Sequence, residues 1–571
     1  MKAVYSARLR IPYICAAGAL TALAVAWVYF PAMQSYAAEQ SLLSGKVTSS
    51  RGEALAAIPL RAHRDGSTIT VSVYTNAKGE YSFPAWSDLS PGTYSVAIAL
   101  PDFEPVNREG VALASGKTAR LNLTLQPRQP SITDATASEI AMAEPGTDEQ
   151  RFLLTQCSNC HTLQWALRTA RTREDWLRIV KRMSGANSPS SLATGSSYFG
   201  TKRYAEKLAD YLASIRGPGS SDAIPFKLRP RPATNAATRL VVTEYDLPRG
   251  GSRELYMLRG DPRFDWTHDV IMNATYAYYT DHYHPVLGRV DKKTGEVKEF
   301  TYTKTSQRRA LAPDQERAGF QEGAGGTRDL RFDRDGNIIL EGFKFNTKTE
   351  QFEPFPLGRG LVGIDPAGRY WSLNRQTGVM QMLDPKTGEI RKYETPPIPE
   401  TEIIYDSAVD SQSRTMLLHL GGGTISMFDP NTEKNSSYQP PTPFSGPRRG
   451  DVDANDRYWF GMYWSGRLGM FDPNKGEVKE FALVPDSKPF GPPFPAPYTA
   501  SVDDKNQIVW ASDFNSGRLF RFDIKTERTT ELSMPLPYEV RDLTVDKTTE
   551  RPTVWVPAYR PPSKLVKVQM Y

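Results

Sequence analysis

Leu468-Gly469-Met470-Phe471-Asp472-Pro473-Asn474-Lys475-Gly476-Glu477-Val478-Lys479-Glu480-Phe481 decides the fold, because the chain repeats it. Leu287 to Phe300 runs Leu-Gly-Arg-Val-Asp-Lys-Lys-Thr-Gly-Glu-Val-Lys-Glu-Phe, and Met382 to Tyr393 runs Met-Leu-Asp-Pro-Lys-Thr-Gly-Glu-Ile-Arg-Lys-Tyr. Each copy is a strand, an Asp-Pro-x-x-Gly-type turn and a second strand. A further hairpin precedes it, as in Asp451 to Phe460. Repeats of two hairpins are the signature of a β-propeller. Seven units begin near Trp266, Thr327, Gly360, Tyr405, Arg448, Tyr498 and Val540, so residues 239–571 are expected to form a seven-bladed ring. The last unit has three strands. Leu240 to Leu247 supplies the fourth, which closes the circle and removes exposed sheet edges.

The register also yields a site. The loop leading into each innermost strand and the turn after the second strand lie on one face, so those positions converge on one mouth of the channel. Leading into the innermost strands are His268, Arg328, Gly360, Tyr405, Arg448, Tyr498 and Arg541, beside Asp269, Asp329, Asp406, Arg449 and Asp542. After the second strands come Asp281, Glu341, Asn374, His419, Met462, Asp513 and Ala558. A mouth rich in Arg, His, Tyr and carboxylate suits a small anionic or carbonyl-bearing ligand, or is a mutually paired rim. His268, Asp281, His282, Arg328, Arg448 and Arg541 are the candidate catalytic residues. The His282-Tyr283-His284 step adds a divalent-metal candidate or a neutral-pH base.

The pattern around Trp459 to Val478, Trp-Phe followed by Gly-Arg-Leu and Asp-Pro-x-x-Gly-x-Val, resembles the streptogramin (virginiamycin B) lyase propellers over most of residues 240–571. The resemblance implies Mg-assisted elimination by histidine and glutamate on the propeller face. At the position that often carries glutamate in such repeats, this chain has Asp281, Asn374, Met462 and Asp513, with Glu341 the one glutamate. Asp281 and His282 are a partial match.

Cys157-Ser158-Asn159-Cys160-His161 is a second chemical signal. Two thiols three positions apart with a histidine directly after are what covalent attachment of a c-type haem requires. Each thiol would bond one vinyl group and His161 would ligate the iron; the alternative is a chance Cys-x-x-Cys or a redox dithiol. Helical periodicity flanks the motif: Trp176, Ile179, Val180 and Met183, then Tyr204, Leu208, Tyr211, Leu212 and Ile215 before Gly217-Pro218-Gly219. Residues 148–217 thus resemble a small all-α class I cytochrome c domain, with one haem c as cofactor. Met183 is the methionine available as sixth ligand; the alternative is that it packs on its helix's apolar face.

Residues 42–126 read as an antiparallel β-sandwich, with turns at Ser50-Arg51-Gly52, Asp65-Gly66, Lys78-Gly79 and Pro91-Gly92 between alternating strands. The segments Ser44 to Val47, Thr75 to Phe83 and Pro91 to Val96 resemble the carboxypeptidase regulatory-like (transthyretin-like) domain. That resemblance implies a spacing, adhesive or carbohydrate-contacting role and no catalytic residues. Segments 127–147 and 218–238 are expected to be linkers, the first unstructured. The architecture expected is therefore multidomain and mainly β.

Lys2, Arg8 and Arg10, then the apolar run from Ile14 to Phe30 and the small residues of Ser35 to Ala38, read as a signal over 1–38 or as an uncleaved N-terminal anchor. Either places the remainder outside the cytoplasm, in a periplasmic or equivalent compartment, with membrane contact only if the segment is kept. Removing those three cations lowers the formal charge from +6 to +3, which argues against nucleic acid as a partner. Three functions remain. One is a periplasmic oxidoreductase or electron carrier with a redox partner and a small-molecule ligand at the channel. Another is a lyase-like enzyme with an accessory haem. The third is a carbohydrate- or protein-binding envelope protein carrying an electron-transfer module.

Overall fold

Aspartates close most turns of the repeat, with Asn273 and Asn346 taking the same role in the inner turn of the first blade and the outer turn of the second. In the outer hairpins Asp472 accepts the backbone N–H groups of Asn474 at 3.0 Å and Lys475 at 3.3 Å, and Asp291 those of Lys293 and Thr294 at 2.9 and 2.8 Å. A carboxylate that bonds its own backbone two residues on pre-forms the turn. In the inner hairpins the aspartate also anchors the core. Asp365, Asp453 and Asp546 each accept from a buried indole, of Trp371 at 3.0 Å, Trp459 at 2.9 Å and Trp555 at 2.9 Å. The computed structural model describes residues 42–159, 161–183, 204–250, 265–282, 284–302, 330–340, 342–357, 361–374, 378–395, 404–559 and 562–571.

Six antiparallel four-stranded sheets follow one another as simple meanders. They run from Thr267–Met272 to Val297–Thr301, Arg331–Phe332 to Gln351–Pro354, Leu361–Ile364 to Ile390–Glu394, Ile404–Val409 to Lys434–Tyr438, Pro447–Val452 to Glu477–Ala482, and Pro497–Asp503 to Arg528–Leu532. In the seventh, Thr544–Val545, Thr553–Pro557 and Lys564–Met570 are completed by Leu240–Asp246, with Leu565 opposite Tyr245 and Val568 opposite Val242. The strand borrowed from upstream therefore occupies the expected place. Neighbouring blades share cores all the way round. Tyr278 and Phe300 pack with Ile338 and Phe345, Trp459 with Phe522, and Trp555 and Leu565 with Val270 and Tyr279, so blade seven meets blade one.

The N-terminal sandwich joins this ring in a way the sequence did not announce. One of its sheets comprises Pro59–Arg64, Ile69–Tyr74, Gly92–Ile98 and Val106–Leu113. Ile69–Tyr74 pairs antiparallel with Leu240–Asp246, Val71 opposite Thr243, so blade seven and the sandwich sheet merge into eight strands. An exposed outer edge is thereby paired rather than left as a template for aggregation. The second sheet is built on Leu43–Ser49.

Between sandwich and ring lies a helical unit. Asp148–Thr155, Gln156–Asn159, Leu163–Leu167, Arg173–Met183 and Ala205–Arg216 bury Phe152, Leu154, Leu163, Leu167, Trp176, Val180, Leu208 and Leu212. The stretch 127–147, expected to be unstructured, is instead part of this unit: Ile132–Asp134 and Ala137–Ala143 are helical. Its Ser and Thr residues are helix caps. Ser131, Thr136 and Thr147 each form a capping box, with Asp134, Glu139 and Gln150 reaching back. Segment 218–238 is likewise held against its neighbours. The N–H of Arg229 donates to Glu139 at 2.7 Å, and Arg231 makes a bidentate pair with Asp102 at 2.8 and 2.9 Å. The N-terminal signal or anchor lies outside the described residues. Among the described residues no helix is long and apolar enough to cross a membrane.

Candidate functional site at the channel mouth

Each described first strand of blades one, three, four, five and six has a register irregularity just where it enters the sheet. The shifts fall between Thr267 and Val270, Leu361 and Gly363, Ile404 and Asp406, Pro447 and Gly450, and Pro497 and Ala500. A bulge frees residues from strict alternation and re-aims their side chains. The freed residues are His268 and Asp269, Tyr405, Arg448 and Arg449, and Tyr498. They are the positions singled out from the repeat, whereas in blade three the shift falls at Val362, two residues after the expected Gly360; Arg541 in blade seven follows the Val540–Ala558 bridge in the same way. The freed residues and Arg541 are all buried.

Three groupings result. The Arg448 guanidinium lies between three tyrosines, 3.6 Å from the ring centre of Tyr498, 4.2 Å from Tyr463 and 4.4 Å from Tyr405. Its Nη2 donates to the Tyr405 hydroxyl at 2.9 Å, and that hydroxyl is 2.7 Å from the Tyr498 hydroxyl. A second group is acidic and basic. Arg449 Nη1 donates to Asp269 at 3.0 Å and lies 3.8 Å from Asp542, while Asp269 also bonds His268 Nδ1 at 2.6 Å. Burial, then the charge of Asp269, push Asp542 up to about 8 against the opposing pull of Arg449. The third contains His282, whose Nδ1 is 2.6 Å from the Tyr559 hydroxyl. Arg541 stacks on Tyr559 at 3.7 Å and bonds Glu539 at 2.6 Å. The imidazoles of His268 and His282 lie edge to face at 5.4 Å.

Positions after the second strands divide in a way the sequence reading did not resolve. Asp281 and Asp513 hold the backbone: Asp281 accepts from the N–H of Trp266 at 2.6 Å and of His284 at 2.7 Å, and Asp513 from that of Ala496 at 2.9 Å. One residue further on stand His282, Tyr463, Phe514 and Tyr559, which pack against the arginines or tyrosines of the mouth. Tyr463 and Tyr559 were missed by the sequence reading. A step of one in the repeat register, which already contained His282, is the signal that finds them. Asn374 is exposed, and His419 Nε2 bonds Ser426 at 2.9 Å. Arg328, Gly360, Glu341 and Asp329 lie outside the described residues.

A cation could be sought at Asp265, Asp281 and His284, whose ligand atoms lie within 4.8 Å of one another. Both Asp265 oxygens are engaged by Arg249, through its N–H at 2.7 Å and its Nη2 at 2.7 Å. Burial pushes Asp265 up to about 6 despite Arg249. A metal there would compete with that guanidinium.

The mouth is covered. Residues of the helical unit and Tyr405, Tyr463, Trp464, Phe494, Tyr498 and Phe514 of the ring form one continuous apolar core, and Cys157 packs half-buried against it. Phe152 meets Phe490 edge to face at 5.2 Å, Ser138 Oγ donates to the Pro493 carbonyl at 2.6 Å, and the Ser138 N–H donates to the Asn515 carbonyl at 3.1 Å. Ser158, inside the Cys157 to His161 stretch, lies 3.2 Å from Asn515 Oδ1. His161 Nδ1 donates to the Thr162 carbonyl at 3.2 Å, which leaves the imidazole lone pair on Nε2, the tautomer an iron ligand needs. Met183 ends its helix half-buried, and Cys160 lies outside the described residues.

The carboxypeptidase regulatory-like domain model matches residues 43–126. No curated protein matches the chain. Among solved structures, a streptogramin B lyase is 17% identical, covering 59% of this chain and 100% of its own, with a TM-score of 0.45. A virginiamycin B lyase from Staphylococcus aureus is 14% identical over 58% of this chain and 100% of its own, TM-score 0.43. The WD40 repeats of RRP9 are 9% identical over 55% and 96%, TM-score 0.41. No residue role is carried across from them. The chain is mainly β: residues 43–126 match a carboxypeptidase regulatory-like domain, and the ring of four-stranded sheets is a β-propeller by its own topology.

Proposed function

We propose that this is an exported protein with one covalently attached c-type haem, held by Cys157, Cys160 and His161 in a cytochrome c-like helical domain. In this reading it transfers electrons between a small molecule at the channel mouth and a separate carrier. One observation carries it: the helical unit bearing the Cys157 to His161 stretch is the lid of the polar mouth, and the two share a single core. When bound, the haem supplies reversible one-electron chemistry, with Met183 as candidate sixth ligand. The chain's own residues do the rest. Arg448 favours an anionic or carbonyl-bearing ligand, the His282–Tyr559 pair can hold or pass a proton, and the aromatic lid excludes water. The test is the absorption spectrum of protein matured in a host competent for haem ligation, followed across a panel of small reductants. Colour retained after denaturation, lost in Cys157→Ser/Cys160→Ser, and a reductant that changes the haem band are the expected results. Colourless protein refutes the reading.

Cation-assisted elimination is a second reading, favoured by the Asp265, Asp281 and His284 grouping. It requires ring opening that persists without haem and stops with a chelator.

A further inference from the structure

Among the described residues Arg448 is a buried cation without a counter-charge. It is 2% exposed, and its Nε and Nη1 have no hydrogen-bond partner among the described residues. Its one bond goes to a neutral phenol, Tyr405. The neighbouring guanidinium groups differ: Arg449 has Asp269 and Arg541 has Glu539. Burying a charge is costly unless it is paired, and three aromatic faces return only part of that cost. A guanidinium also offers its donors as a planar fork, which matches a carboxylate in two-point contact. Tyr498, whose face covers Arg448, belongs to the core shared with Cys157, so the fork sits where lid and ring meet.

We propose that Arg448 is the receptor for a carboxylate that is not part of the polypeptide, taken up by the unpartnered donors of its guanidinium inside the tyrosine cage. This rests on reading the mouth as a ligand site. The carboxylate has two candidate sources of the same chemistry: a free small-molecule acid, or a propionate of a haem tethered at Cys157.

The experiment uses purified holoprotein, with benzoate as probe, in wild type, Arg448→Gln and Arg448→Lys. It reads near-ultraviolet tyrosine absorption, melting temperature and the pH dependence of the haem midpoint potential. Saturable benzoate binding that raises the melting temperature, weakened at least tenfold in Arg448→Gln and less in Arg448→Lys, supports the proposal with a free acid as source. No benzoate binding, together with a midpoint potential whose pH dependence changes in Arg448→Gln but not in Arg448→Lys, supports it with a propionate. Identical behaviour of all three proteins in every readout overturns it, because the tyrosine cage then suffices alone. Loss of folding in Arg448→Gln without benzoate also overturns it, since removing an uncompensated charge should leave the ligand-free protein at least as stable. Covalent haem is measured on the same samples. Colourless protein that binds benzoate through Arg448 refutes only the haem reading, and haem-bearing protein indifferent to residue 448 refutes only this one.

Discussion

Arg61 of the sandwich and Glu244 of the borrowed strand form a two-point ion pair, both contacts at 3.0 Å, across the seam of the merged sheet. Glu244 is fully buried and also accepts from the Tyr538 hydroxyl. Burial alone would raise its pKa, but Arg61 and Lys564 outweigh it and hold the carboxyl below the usual range. Glu244→Gln leaves Arg61 facing a neutral amide in a dry seam, and the expected loss is about 3 kcal/mol or more of unfolding free energy. The pH signature has a definite sign. A depressed carboxyl contributes its stability above the unfolded value of about 4.3, and loses it as pH falls through the lower folded value. Urea titrations should therefore show the deficit of Glu244→Gln at pH 7 shrinking toward pH 3.

The lid depends on a small number of aromatic anchors. Phe152 is 5% exposed and meets Phe490 of the ring. Phe152→Ala should cost about 3–5 kcal/mol locally. Because blade cores are separate clusters, hydrogen exchange should quicken in Ala137–Ala143 and Gln156–Asn159 while Ile508–Asp513 keeps its protection. Equal loss of protection in both regions would show that lid and ring unfold as one unit.

The ring was legible because its information is local and repeated. Asp472, Asp523 and Asp291 close equivalent turns with neighbours two and three residues away, so the pattern survives in the linear text. The borrowed strand was legible for the same reason. The pairing of Ile69–Tyr74 with Leu240–Asp246 was not, because both strands are apolar enough for either a buried sandwich or a closed blade, and nothing in the alternation names the partner. Ser131, Thr136 and Thr147 were misread because helix caps and flexible linkers use the same residues. At the mouth, Arg448 and His268 were placed from the repeat, whereas Asp281 and Ala558 were named one residue short of His282 and Tyr559, which meet the mouth. Asp281 holds backbone N–H groups and the next position faces the channel, a one-residue step that depends on three-dimensional turn geometry.

Tyr559 provides a direct check on that step. Its hydroxyl is bonded to His282 Nδ1 inside the ring, while its face carries Arg541. Tyr559→Phe keeps the face and removes the hydroxyl. The expected destabilisation is about 1–3 kcal/mol, from a buried imidazole that loses this bond. Met462→Leu, at a position one residue before Tyr463 and therefore off the channel, should leave ligand binding unchanged within error while Tyr463→Ala weakens it.

Asp542 sets the response of the mouth to rising pH below about 8. Burial and the Asp269 charge keep it protonated up to about 8, whereas in the unfolded chain it ionises near 3.9. Between those values the native state holds a proton that the unfolded state has released. Stability therefore falls as pH rises, by at most about 1.4 kcal/mol per pH unit, and levels off above about 8. Arg449, 3.8 Å away, limits the fall by favouring the charged form. Asp542→Asn imitates the protonated acid at every pH. Compared with wild type it should gain stability at pH 8.5 relative to pH 5.5, and its urea midpoint should vary less across that interval. Parallel midpoints in the two proteins would mean that Asp542 is already ionised at pH 5.5, with Arg449 rather than the proton answering the charge of Asp269.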